Sequence, residues 1–125
     1  MTDSSKIKVL VLDDEVSIRE SIKQFLSDFD FDVMTAETGE DALKRVYENT
    51  FDVAIVDMRL PEMSGDMFIL KAHEIKKELK YLIMTGSVDF QIHPDLVRIG
   101  ITAEQILQKP LTSLFQLIKS IEAVL

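Results

Sequence analysis

The chain has 125 residues, 46% hydrophobic and 29% charged, with a formal net charge of -8 from 22 acidic against 14 basic side chains. The length fits one domain, residues 1–125 with a core from about residue 6, able to bury roughly two thirds of its unfolded surface. The acidic balance argues against direct binding to nucleic acid or anionic membrane, and the lack of cysteine excludes disulfides and thiol catalysis.

The start, Met1-Thr2-Asp3-Ser4-Ser5-Lys6, has no apolar core of a signal peptide, and no apolar run approaches membrane-spanning length, so the expected location is the cytoplasm. From there the pattern alternates between short continuous apolar runs and helical spacing, as βα units around a buried parallel sheet do. Ile7 to Leu12 is the first predicted strand, followed by a helix with Ile18, Ile22, Phe25, Leu26 and Phe29 on one face. Phe31 to Ala36 is the second, and Thr38-Gly39-Glu40-Asp41 opens a helix burying Ala42, Leu43 and Val46. Phe51 to Asp57 is the third, followed by a loop through Pro61 and a helix after Gly65 with Phe68, Ala72, Ile75 and Leu79 inward.

The fourth strand is Tyr81 to Thr85. Between Ser87 and Gly100 the pattern weakens, because Pro94 forbids a regular helix running through from Val88; Pro94 instead opens a short helix, Asp95 to Ile99, stopped by Gly100. Ile106 to Gln108 is the fifth strand, and the last helix carries Leu114, Leu117, Ile118, Ile121 and Leu125 as its core stripe. Leu111 and Phe115 widen that apolar arc, which reads first as deeper burial and second as a docking surface for a partner or a second copy. The expected fold is a doubly wound five-stranded parallel α/β sheet with flanking helices, with the site at the carboxyl ends of the strands.

Chemistry-bearing residues stand at those ends. Asp13 and Asp14 follow the first strand, Asp57 closes the third, Thr85 closes the fourth and Lys109 follows the fifth, directly before Pro110. Each residue alone has a plain structural reading: a helix cap, a polar strand end, a strand-to-turn junction or a surface lysine. Together the three carboxylates need a cation, since at an effective dielectric of ~20 and ~5 Å each pair repels by ~3 kcal/mol. Oxygen donors without cysteine or a paired histidine favour Mg²⁺, with Mn²⁺ as the alternative. His73, placed on an exposed helix face, and His93, in the loop before Pro94, have no second ligand at metal spacing, and Met58 and Met63 read as packing.

The ordered set Asp13-Asp14, Asp57, Thr85 and Lys109-Pro110, with Asp57-Met58-Arg59-Leu60-Pro61-Glu62-Met63-Ser64-Gly65 as a loop, resembles the receiver domain of two-component response regulators. The resemblance runs from Lys6 to Leu125 and implies a flavodoxin-like fold of receiver type. It implies that Asp57 is the phosphoryl acceptor, forming an acyl phosphate. It also implies that Asp14 is a direct metal ligand, that Asp13 acts partly through water, and that Asp57 and the Arg59 backbone carbonyl complete the set. Lys109 would pair with phosphoryl oxygens, and Thr85 would sense them. Arg59 and Ser87 fall where receivers place groups that affect hydrolysis, though a solvated Arg fits position 59 equally. The Lys109-Pro110 bond is expected to be cis.

Two departures bear on output. Receivers often carry Tyr or Phe three residues before the Lys, and here that residue is Ile106; the Ser87 to Gly100 segment and the approach to Lys109 are also altered. The implied partners are a sensor histidine kinase or a histidine phosphotransfer protein, an output partner or domain not identified by sequence, and a homodimer through the face of the fourth helix, fifth strand and fifth helix. Two other functions stay open: a phosphorylation-independent protein-binding receiver, and an aspartate-nucleophile phosphohydrolase. The second wants an acid two residues past its nucleophile, where Arg59 stands.

Overall fold

A computed structural model of the chain describes residues 6–125, so the reading of residues 1–5 as lacking a signal peptide lies outside the described residues. The elements run β1 (Lys8–Leu12), α1 (Val16–Asp28), β2 (Asp32–Ala36), α2 (Gly39–Glu48), β3 (Val53–Asp57), α3 (Gly65–Ile75), β4 (Lys80–Thr85), α4 (Pro94–Arg98), a 3-10 turn (Ala103–Gln105), β5 (Ile106–Gln108) and α5 (Phe115–Val124). The strands form one parallel sheet in the order β2-β1-β3-β4-β5. The predicted α/β fold is the one observed.

Parallel strands covered on both faces are apolar throughout rather than alternating, and every residue of β3 is buried. Val9, Val11, Ile55, Leu82 and Met84 face α1 and α5, meeting Ile22, Leu26, Leu117 and Ile121. Leu10, Leu12, Ala54, Val56 and Ile83 face the other way, against Ala42, Val46, Phe68, Ile69, Ala72 and Leu96 of α2, α3 and α4. Burying a side chain of this size stabilises by about 1.5–3 kcal/mol. That anchoring fixes the register of the strand ends, where the polar residues project. Among the described residues no helix is long and apolar enough to cross a membrane.

The helix starts follow from local chemistry. Thr38 and Ser64 cap α2 and α3 by accepting the N–H groups of Asp41 at 3.1 Å and Met67 at 3.2 Å. Pro94 is the first residue of α4, and Gly100 just beyond it has φ +101°, a left-handed conformation open to glycine.

Several expectations need correction. Leu79 is buried but lies beyond α3, in the turn that leads into β4. Leu125 and Phe29 are exposed rather than core, because each sits one residue past the end of its helix. Phe115 is 56% exposed. It packs edge-on against Phe25 at 5.2 Å and Phe29 at 5.4 Å, so its ring leans toward α1 and not toward α4. His73 is half-buried rather than exposed; His93 lies in the loop before Pro94 as expected, where it caps α4 by accepting the Asp95 N–H at 3.1 Å.

Candidate functional site

The site forms where four strands end together. Past Leu12 the Asp13 N–H still bonds the Ala36 carbonyl at 3.3 Å, which carries the sheet one residue further and buries Asp13 completely. Its Oδ1 accepts the Glu15 N–H at 2.9 Å, and the Arg19 guanidinium donates to its carbonyl at 2.8 Å. Glu15, not either aspartate, stands at the N-cap of α1 and makes no side-chain cap. The simple capping reading of Asp13 and Asp14 therefore fails: Asp13 fixes the turn, and Asp14 is exposed at the mouth of the site.

Asp57, 4% exposed, ends the central strand, and its Oδ1 accepts the Arg59 N–H at 3.2 Å. The loop that follows must return to start α3 directly under this residue. A Cβ on Gly65 would lie 2.8 Å from the Asp57 carbonyl oxygen and 2.9 Å from Met58 Cα, so only glycine fits there. Thr85, also buried, accepts the Ser87 N–H through Oγ1 at 3.1 Å, and its carbonyl accepts the Lys109 N–H at 2.8 Å.

Lys109 reaches back across the strand ends, and the Lys109-Pro110 bond is cis. Its Nζ lies 3.2 Å from Asp13 Oδ2, 3.2 Å from Asp57 Oδ2 and 3.6 Å from Glu15 Oε1. Asp13 Oδ2, although buried, has this ion pair and no further hydrogen-bond partner. Burial raises the Asp13 carboxyl above its ordinary pKa; the Glu15 N–H and Lys109 oppose that shift, and Asp57 adds to it. Burial works to lower Lys109, but Asp13 and Asp57 together outweigh it and hold the ammonium above its usual value.

One oxygen from each of Asp13, Asp14 and Asp57 lies within 4.8 Å of the others. Three carboxylates face one ammonium, so negative charge remains uncompensated, and the buried Asp13 Oδ2 has no partner besides that ammonium. An all-oxygen set of this kind suits a hard divalent cation, Mg²⁺ or Mn²⁺. Asp14, Asp57, Arg59, Gly86 and Lys109 line one open cleft. All of the site residues expected from sequence thus border a single locus, with Thr85 beside it on β4.

Three neighbours escaped the sequence reading as participants. Glu15 follows the two aspartates without any mark that sets it apart from a solvated acid, yet it reaches Lys109. Arg19 gives no signal, because its target is a backbone carbonyl. Gln108 did leave one: a long amide side chain beside the lysine, in a short strand. It donates to the Ser87 carbonyl at 2.9 Å.

Comparison with known proteins agrees with this geometry. Residues 9–122 match the family model described as the response regulator receiver domain. The transcriptional regulatory protein ZraR of Salmonella typhimurium is 32% identical over 117 residues, covering 82% of this chain and 26% of that protein. The chain therefore spans about a quarter of the length of the first curated relatives it matches. The probable chemotaxis protein CheY of Rhizobium etli is 30% identical over 115 residues, covering 90% of this chain and 88% of that one. Among solved structures, the response regulator TrrA of Thermotoga maritima in complex with Mg(2+)-BeF aligns with a TM-score of 0.75 at 26% identity, covering 95% of this chain and 99% of that one.

Proposed function

The chain belongs to the response regulator receiver domain family of two-component signalling, and from that premise we propose that Asp57 is its phosphoryl acceptor. An Asp57 carboxylate oxygen attacks the phosphorus of a phosphohistidine on a sensor histidine kinase or phosphotransfer protein. The P–O bond of an acyl phosphate forms, the P–N bond breaks, and the released imidazole takes its proton from water. Asp57 is prepared for this role: the Arg59 N–H fixes Oδ1, while Oδ2 faces the ammonium that would then pair with the transferred oxygens.

The observation that carries the reading is Lys109 Nζ at 3.2 Å from both Asp13 and Asp57, within an otherwise unbalanced carboxylate cluster. Asp14 as direct ligand, Asp13 partly through water, Asp57 and the Arg59 carbonyl would hold Mg²⁺ or Mn²⁺. Bound there, the ion supplies charge neutralisation for the phosphoryl oxygens. Thr85 keeps its hydroxyl hydrogen free while it accepts from Ser87, so it can donate to a phosphoryl oxygen. The chain thereby assists its own modification without a metabolic product, in a cytoplasmic setting, and passes the signal to an output partner or domain.

Incubation with a small phosphodonor and Mg²⁺, followed by mass spectrometry, tests the assignment. Labelling of the parent and none of Asp57→Asn is the expected result; a labelled Asp57→Asn protein overturns it. Ile106 has neither ring nor hydroxyl, which favours a second reading as a phosphorylation-independent binding module. Absence of any Mg²⁺-dependent labelling of the parent would select that one.

A further inference from the structure

The turn after β4 is tied to β5 by a contact that the acceptor chemistry does not use. Thr85 and Gln108 are register partners, each the last residue of its strand. Beyond them the Gln108 side-chain amide donates to the Ser87 carbonyl at 2.9 Å, while the Ser87 N–H donates to Thr85 Oγ1 at 3.1 Å. Thr85 Oγ1, Ser87 and the Gln108 amide thus form one hydrogen-bonded chain. Ile106, two residues earlier, packs against the core without a polar atom and cannot contribute to it.

The sheet order gives this chain a direction. β4 lies between β3 and β5, so Asp57 is on one side of Thr85 and Gln108 on the other. Drawing the Thr85 hydroxyl toward a group on Asp57 draws Ser87 away from Gln108. The Lys109 N–H to Thr85 carbonyl bond at 2.8 Å anchors the backbone of β4, which confines the motion to the side chain and the turn. Gly86 leaves room for it, for nothing lies within 4 Å of where its Cβ would be. An interaction present in one state and lost in the other biases the equilibrium between them.

We propose that Gln108 is a positioning residue that restrains the Thr85-Gly86-Ser87 turn in its unphosphorylated position, so that its hydrogen bond to Ser87 opposes engagement of Thr85 with the phosphoryl group. This rests on the reading of Asp57 as acceptor. Gln108 touches neither phosphoryl group nor metal in this scheme; its effect passes through Ser87 and Thr85.

The test is a titration of the Mg²⁺-loaded protein with beryllofluoride, a phosphoryl mimic, followed by NMR at the Thr85, Gly86 and Ser87 amides. Gln108→Leu keeps the size and removes the donor; Gln108→Val, which favours strand, is the second variant. Each is expected to bind beryllofluoride about fivefold tighter than the parent, the fold-change of one ordinary net hydrogen bond. Affinity for Mg²⁺ alone is expected to stay unchanged, which a general loosening of β5 would not allow. Equal or weaker beryllofluoride binding by both variants, or an Mg²⁺ affinity that shifts in parallel, overturns the proposal. Failure of the underlying reading looks different: the parent and Asp57→Asn would then respond to beryllofluoride alike.

Discussion

Replacing Asp14 by Asn should make the metal-free protein more stable. At 4.8 Å and an effective dielectric of about 20, two carboxylates repel by about 3 kcal/mol, and Asp14 has two such neighbours, Asp13 and Asp57. Lys109 offsets part of that repulsion, since its ammonium lies 3.2 Å from each of those two neighbours. Asp14 is exposed and forms no ion pair among the described residues, so screening by water and salt reduces the rest to about 1 kcal/mol. Urea denaturation in EDTA should show a midpoint raised by about 0.5 M, given a slope near 2 kcal/mol/M. Added Mg²⁺ should then reverse the ranking, because a ligand at 100 times its Kd stabilises a protein by about 2.7 kcal/mol and the variant has lost a donor. An unchanged or lower midpoint in EDTA would refute the electrostatic reasoning; an equal Mg²⁺ increment in both proteins would refute the role of Asp14 as ligand.

Asp14→Ala should weaken Mg²⁺ binding more than Asp13→Ala in calorimetric titration, since the first loses a coordination bond and the second mainly charge; equal losses would count against that division. Gly65→Ala should destabilise by about 1–3 kcal/mol through its clash with the Asp57 carbonyl, whereas Gly86→Ala should stay within about 0.5 kcal/mol, as thermal melts of both can check. Thr85→Ala should still be phosphorylated but should lose the spread of beryllofluoride-induced NMR shifts from Thr85-Gly86-Ser87 into the segment containing Pro94. Shifts that spread undiminished would remove Thr85 from the output path.

Apolar pattern reports burial, and that is where sequence reading succeeded. β5 was legible because Ile106 and Leu107 form an apolar pair between polar Gln105 and the polar pair Gln108-Lys109. Phe31 and Phe51 were placed inside strands and are indeed buried, but the strands start one and two residues later. The Phe31 N–H closes the end of α1 on the Leu26 carbonyl, and Asp52 uses a side-chain oxygen to accept the Lys8 N–H at 2.8 Å. Hydrogen-bond direction is not written in hydropathy. The clustering of the carboxylates and Lys109 was legible because unlike groups at successive strand ends have no common structural purpose. Arg19 and the reach of Gln108 were not, because each bonds a backbone carbonyl that any residue could supply.

The brevity of β5 has a consequence for assembly. A sheet edge is a template onto which a foreign strand can be hydrogen-bonded, and proteins blunt such edges by shortening them or ending them in proline. Here the edge beside β4 is three residues long and is followed, past Lys109, by Pro110, which has no N–H to give. A partner that approaches this side must recognise the relief of its side chains, since the backbone offers it almost no ladder to extend. Any selectivity on that face would then lie in its side chains, which can be substituted while the sheet beneath stays the same.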